Sequence, residues 1–328
     1  MPRRAASRDG SLPTERDIRA WFTTLSNWGR WGEDDVLGTL NHITADVRRS
    51  AAAAVRHGRS VSCAWDITTV ASPSQSVTPQ RWMVRTGLAL EPDSTLAQDR
   101  CRDGSMATAS EFISMVFHGR TITHLDAFSH VFWEGQMYNG VPSSKVSDAT
   151  GAQHHDVRSA SAGIQSRGVL LDIARYRGVQ WLTPDAPIVV EDLEGCEKAQ
   201  GVAVSPGDVL LIRTGDGHRR RIGADWRPEV EGHPGLHASC LPWLHERSVA
   251  ALGSDGPHDV VPSGYPGIYL PIHSVGIVAM GLWLIDNCQL EDLAAACAEL
   301  DQYDFLFSLL PLRVIGGTGS PANPVALL

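Results

Sequence analysis

Within Thr121-Ile122-Thr123-His124-Leu125-Asp126-Ala127-Phe128-Ser129-His130, two residues stand at a spacing that lets an extended chain hold a cation. Successive side chains on a strand point to opposite faces, so His124 and Asp126 present an imidazole and a carboxylate to the same side. Imidazole and carboxylate are ordinary ligands of a divalent ion such as zinc. His130, six residues beyond His124 and past the small Ala127 and Ser129, is free to stand beside that ion without binding it.

The chemistry such a group offers follows from charge. Amide hydrolysis is slow because water is a poor nucleophile and the tetrahedral intermediate carries an unpaired negative charge. A metal addresses both, lowering the pKa of bound water toward ~7 in favourable zinc sites and acting as a Lewis acid. His130, with an unperturbed pKa near ~6.5, could take the proton from that water and return it to the departing nitrogen. Arg120 could pair with a carboxylate or carbonyl of the substrate, a role that guanidinium geometry suits. Trp82 and Trp133 are candidate substrate contacts. The expected activity is hydrolysis of a C–N bond, other than a peptide bond, in a cyclic amide, imide or aryl formamide.

The run T-H-x-D-x-x-x-H resembles the core of the cyclase family of metal-dependent hydrolases, which includes kynurenine formamidase and isatin hydrolase and whose fuller pattern is H-x-G-T-H-x-D-x-P-x-H. His124, Asp126 and His130 fall on the second histidine, the aspartate and the last histidine. Arg120 stands in place of the first histidine, Ile122 in place of the glycine and Phe128 in place of the proline. His118 lies two residues too early and reads either as a displaced ligand or as an ordinary strand-end residue. Trp31-Gly32-Glu33-Asp34-Asp35-Val36-Leu37-Gly38-Thr39-Leu40-Asn41 and Tyr138-Asn139-Gly140 are similar to motifs of one branch of the same family.

The resemblance implies a late histidine and a carboxylate about twelve residues further on as additional ligands. His273 matches the first, and Asp286, one position beyond that spacing, is the nearest carboxylate to the second. A short aspartate, together with a fixed positive charge at Arg120, points to one divalent ion, Mn or Zn, per subunit rather than two. The resemblance also implies an α/β fold of the swivelling β/β/α type, with a mixed β-sheet or barrel-like core, assembled as a homodimer or homotetramer. Members linked to ring formation make a dehydrative cyclase the main alternative. A lactone hydrolase and a non-catalytic binding protein on the same fold are the others.

The elements that must position these residues can be read in order. Residues 1–20 are a flexible lead, polar through residue 17, and 21–328 a single domain. Trp21, Trp28 and Trp31 read as an aromatic cap on the core, or as pocket wall or dimer contact. Thr44 as N-cap, Asp46 in the first turn and Gly58 beyond the end predict a helix over 45–57. Strands are expected over 60–69, 111–117, 167–173, 209–215, 249–255 and 305–314, and helices over 191–200, 241–247 and 290–300. The stretch 276–285 suits either state. The span 71–108 should be irregular, a candidate lid or pocket wall, and 216–233 an exposed loop. His154, His155, His218, His233, His237, His245 and His258 lie in polar or loop contexts and read as solvent-facing.

Composition excludes other classes. At 328 residues with 43% hydrophobic content the chain can bury a sizeable core. A net charge of -9, without a long basic run, argues against nucleic acid. The apolar stretches fall short of the ~20 residues a membrane span needs. Six cysteines without a C-x-x-C pair, after an N-terminus that lacks an apolar run, fit a reducing cytoplasm. The expected partner is a small molecule.

Overall fold

The computed structural model describes residues 12–71, 77–91, 93, 95, 105–224 and 227–328. Much of the predicted irregular stretch 71–108, the start of the expected lead and Cys101 therefore lie outside the described residues. Thirteen strands are present among them: β1 Ser60–Ser62, β2 Gln80–Arg85, β3 Ser110–Ser114, β4 His124–Asp126, β5 Val146–Ser147, β6 Gly151–Ala152, β7 Ile164–Asp172, β8 Val209–Arg213, β9 Ala251–Ser254, β10 Trp283–Asp286, β11 Asp304–Leu309, β12 Gly319–Pro321 and β13 Val325–Leu327. Nine form one mixed sheet in the order β1-β13-β11-β7-β8-β9-β10-β4-β12. This is the mixed α/β architecture expected.

The middle of the sheet, β7 to β10, is parallel. Its strands are apolar on both faces: Val169, Leu170, Leu171, Val209, Leu210, Leu211, Ala251 and Leu252 are fully buried. Such continuous runs belong to strands covered on both sides. Helix Val190–Gln200 bridges β7 and β8 and stops at Gly201, whose left-handed φ of 64° ends it. Helix Ala45–Ala53, capped by Thr44, packs against β7 and is four residues shorter than its pattern suggested.

At one end of this sheet β10 turns the order antiparallel. It pairs with β4 in the register Asp286↔His124 and Leu284↔Asp126, and β4 in turn pairs with the edge strand β12. Before β10, Ser274–Met280 forms a π-helical turn, fully buried and ended by Gly281 in the left-handed region. The ambiguous stretch 276–285 is thus helix first and strand second. Segments buried on every side carry no amphipathic period, so neither state was written in the pattern.

The N-terminal aromatic segment closes the end of that turn. Asn27 Nδ2 donates to the Met280 carbonyl at 2.8 Å and Trp28 Nε1 to the Val278 carbonyl at 2.7 Å, satisfying groups that a helix end leaves open. Gly38 has φ 54°, and a Cβ there would lie 2.2 Å from the Gly281 carbonyl oxygen. The two motif stretches read in the sequence meet here. Tyr138 Oη donates to Asp35 at 3.0 Å, and Asn139 Nδ2 donates to the carbonyls of Gly32, Glu33 and Asp35.

Four expectations need correction. The lead is helical from Glu15 to Thr24, because Thr14 and Asp17 form a capping box. The strand expected over 111–117 ends at Ser114 and pairs with β2 in a separate two-stranded ribbon, not with the main sheet. Strand propensity does not say which sheet a strand joins. The strand expected over 60–69 stops at Ser62. The 216–233 segment is not a simple exposed loop: Asp216–Arg221 is helical, Asp216 is buried, and Arg220 Nη1 donates to the Thr121 carbonyl at 2.8 Å.

Among the described residues no helix is long and apolar enough to cross a membrane. Cys63, Cys196, Cys240, Cys288 and Cys297 are buried free thiols.

Candidate metal centre

β4 is three residues long and buried throughout, with Leu125 turned into the core and His124 and Asp126 to the other face. The turn that delivers it is held from two sides. Thr123 Oγ1 donates to the Asn287 carbonyl at 2.7 Å, and Asn287 Nδ2 returns to the Gly119 carbonyl at 2.7 Å. His124 Nδ1 donates to the Ile122 carbonyl at 2.8 Å, which fixes the ring and aims Nε2 into the site.

The cross-strand register then brings in Asp286. One ligand atom from each of His124, Asp126 and Asp286 lies within 4.8 Å of the others, and all three residues are buried. His273 Nε2 stands 3.5 Å from Asp286 Oδ2 and 3.9 Å from Asp126 Oδ2. Three of the four residues expected as ligands thus converge, and His273 stands beside their carboxylates. A second convergent group shares Asp126: His118, Asp126 and His130. His118 Nδ1 lies 2.9 Å from Asp126 Oδ1, and its ring stacks on His130 at 3.6 Å between centroids. The geometry thus places His118 beside the motif, although it is displaced in sequence.

The donor set fits a divalent cation. Both Asp126 oxygens are buried without a hydrogen bond, an arrangement that is costly unless a positive charge is near. The charges around these carboxylates interact strongly. Burial would raise Asp126, but His118 and His124 beside it hold its carboxyl well below the usual range. Burial lowers His124, yet the carboxylates of Asp126 and Asp286 outweigh it and raise the imidazole to about 9. His273 likewise is pushed up against its burial by Asp286 and Asp259. The carboxylates attract whatever cation the pocket offers.

A short loop after β9 buttresses this centre. Asp255 accepts from the backbone and hydroxyl of Thr214 and from Gly215 N, all within 2.9 Å. Asp259, fully buried, accepts from His273 Nδ1 at 2.6 Å and from the backbone of Ile272 at 2.6 Å. His258 Nε2 lies 2.9 Å from Asp286 Oδ1. The sequence reading missed all three.

A cavity of about 460 Å³ opens above the carboxylates. His118, Arg120, His124, His130, His273 and Asp286 lie at its polar end, with Val131, Trp133, Val261, Ile268 and Leu270 along its apolar wall. Trp133 is held flat against Phe22, 4.4 Å between ring centroids. Trp82 is elsewhere: it sits in β2, half exposed, stacked on Phe112 at 4.3 Å, and does not line this cavity. His155, His233, His237 and His258, read as solvent-facing, are buried. Their loops fold back over the sheet ends, so polar neighbours in sequence did not mean exposure. His233 also lines the cavity, and burial together with Arg120 lowers it to about 3.

Comparison with known proteins bears on the family and the fold. The sequence matches the cyclase family over residues 11–258. A crystal structure of a novel cyclase superposes with a TM-score of 0.81 at 29% identity, covering 94% of this chain and 99% of its own. Isatin hydrolase A from Labrenzia aggregata gives a TM-score of 0.55 at 19% identity, covering 84% of this chain and 94% of its own. Isatin hydrolase A from Ralstonia solanacearum gives 0.55 at 21% identity, covering 86% and 97%. No curated protein matches.

Proposed function

The chain belongs to the cyclase family, and from that premise we propose that it is a metal-dependent hydrolase opening a C–N bond of a cyclic amide, imide or aryl formamide. The observation that carries this reading is the convergence of His124, Asp126 and Asp286 at the polar end of a cavity large enough for a small ring. A divalent ion, Mn or Zn, held there would supply a Lewis acid and a more acidic water. We assign one ion per subunit.

The chain's own groups do the rest. Burial, opposed by Asp126 and reinforced by His118, lowers His130 to about 4, so at neutral pH its ring is unprotonated and can accept a proton. Arg120, at the polar end of the cavity, is placed to receive an anionic or carbonyl oxygen of the substrate. The apolar wall from Val131 to Leu270 excludes water from a planar ring and sets its orientation.

The His118, Asp126 and His130 group favours a second reading, in which these three residues would hold a second ion. Against it, the fixed positive charge of Arg120 lines the same cavity and disfavours a second cation. Metal analysis of protein purified without chelator separates one equivalent from two.

The activity is tested by offering cyclic imides, isatin, N-formylkynurenine and lactones to Mn- and Zn-loaded protein and following product mass. Gain of one water on a C–N substrate is expected. Loss of water would show a dehydrative cyclase, and turnover of lactones alone a lactonase. Fully loaded protein inert on every compound would leave a binding protein. The reading also includes self-association into a homodimer or homotetramer, and the buried free thiols suit a cytoplasmic location.

A further inference from the structure

Asp286 is a short ligand whose two oxygens must be used differently. Oδ2 faces His273 Nε2 at 3.5 Å and His124 Nε2 at 3.9 Å, toward the proposed ion. Oδ1 points away, is buried, and makes no well-formed hydrogen bond. What lies against it is His258 Nε2, at 2.9 Å and off the line of an ideal N–H bond.

We propose that His258 is a positioning residue for Asp286: its Nε2–H engages Oδ1 and so fixes which carboxylate oxygen is presented to the metal. This rests on the metal-centre reading above. His258 Nε2 meets Oδ1, whereas His124 and His273 meet Oδ2, so it does not share the face of the carboxylate that the ion would occupy. It does not line the cavity, although its neighbour Pro257 does, so it does not meet the substrate. Its side chain is fully buried, and its backbone is fixed because Leu236 N donates to the His258 carbonyl at 2.8 Å. The ring is therefore anchored on a hydrogen-bonded segment with its Nε2 against Asp286. A carboxylate free to rotate about its last bond would present either oxygen. Held through Oδ1, it presents one. The adjacent Asp259 does the same for His273 through Nδ1, so two consecutive residues of one loop orient two ligands.

The test is Zn²⁺ affinity by chelator competition and the visible spectrum of the Co²⁺-loaded protein for wild type, His258→Gln and His258→Asn. A glutamine amide reaches the place of Nε2, whereas an asparagine amide stops near Nδ1. His258→Gln should bind within about threefold of wild type, and His258→Asn should lose about 10–100-fold with a shifted cobalt band, the range expected when a partner that orients a ligand is removed. Equal affinity and an unchanged band in His258→Asn would overturn the proposal, as would equal losses in both variants. Should His258→Asn not fold, ¹⁵N-histidine NMR of the Zn²⁺-loaded wild type decides, with the signal assigned by its loss in His258→Gln. Nε2 must carry the proton, and an Nε2 found unprotonated refutes the role. A wild type that binds no metal sinks the hydrolase reading and this proposal together, whereas a loaded wild type with an indifferent His258→Asn sinks the proposal alone.

Discussion

Asp286 on β10 lies directly opposite His124 on β4 in the antiparallel register, so one hydrogen-bonded strand pair carries two candidate ligands separated by more than 160 positions in sequence. The edge between β4 and β10 is therefore the frame of the centre. A side chain that leaves this frame cannot be replaced by its neighbours, because Leu125 and Ile285 face the opposite side. Removing a ligand should cost more than the ~10–100-fold typical of an orienting partner. His124→Ala, Asp126→Ala and Asp286→Ala are expected to lose bound metal and turnover together. His130→Ala should keep the metal and lose ~10²–10⁴-fold in turnover, the usual share of a general acid or base. Metal content measured beside kcat separates the two outcomes, and loss of the ion in His130→Ala would make that residue a ligand.

β12 must pass close to the same strand. A Cβ at Gly319 would stand 2.5 Å from the Leu125 carbonyl oxygen and 2.7 Å from His118 Cε1. The first contact is with backbone and cannot yield by a side-chain rotation. Gly319→Ala should therefore destabilise the protein by ~1–3 kcal/mol, the usual cost of overpacking, and push His118 off Asp126. Thermal unfolding of the metal-free protein reads the first effect. Weaker metal binding at a temperature where the variant is folded reads the second.

How much of this was legible depends on whether a residue belonged to a local pattern. His124 and Asp126 were visible because a period of two places them on one face whatever the strand pairs with. The helix at Ala45 was visible because Thr44 caps it. His258 and Asp259 sit in an irregular loop where adjacent side chains have no fixed relation, so their partners depend entirely on how the chain folds back. His118 was ambiguous for a related reason: spacing placed it two residues too early, and only the bends over 119–122 bring it to Asp126. Trp82 failed in the other direction, since an aromatic in an irregular stretch fits a pocket wall and a projecting ribbon equally well.

Acid should destabilise the metal-free protein through its buried neutral histidines, and His155 offers a case outside the candidate ligand groups. It is 3% exposed, and its Nε2 bonds the Tyr138 carbonyl at 2.9 Å. Burial, with His154 beside it, lowers it from 6.5 to about 4. Its folded pKa is thus below the unfolded one, so between these values the unfolded chain binds the extra proton. The stability it contributes is complete above pH 6.5 and is lost progressively as pH falls toward 4, at most about 3 kcal/mol by linkage. Urea unfolding at pH 7.5 and 5 should show the loss. His155→Gln, which keeps a donor for Tyr138 but does not titrate, should flatten it, and an unchanged slope would remove His155 from the account.

The β2–β3 ribbon bears on the expected oligomer. Every residue of β2 is exposed, including Trp82, Met83 and Val84, and Phe112 and Ile113 on β3 are exposed as well. A two-stranded ribbon is marginal alone in water, and contiguous exposed apolar surface marks an interaction site. Ile113 also lines a second cavity, of about 520 Å³, with Leu310 and Leu312, which are more than half exposed. The ribbon and this groove share Ile113, which joins their exposed apolar surfaces. A second copy of the chain covering that face is the expectation, with Trp82 at its centre because its ring and that of Phe112 already stack into one flat surface. Light scattering should give a dimer or tetramer for the wild type at micromolar concentration. Trp82→Ser with Phe112→Ser should weaken association at least tenfold while metal content stays unchanged, since neither residue lines the metal cavity. A monomeric wild type, or an oligomer indifferent to both substitutions, would move the interface elsewhere and leave the ribbon's exposed aromatics to bind a different molecule.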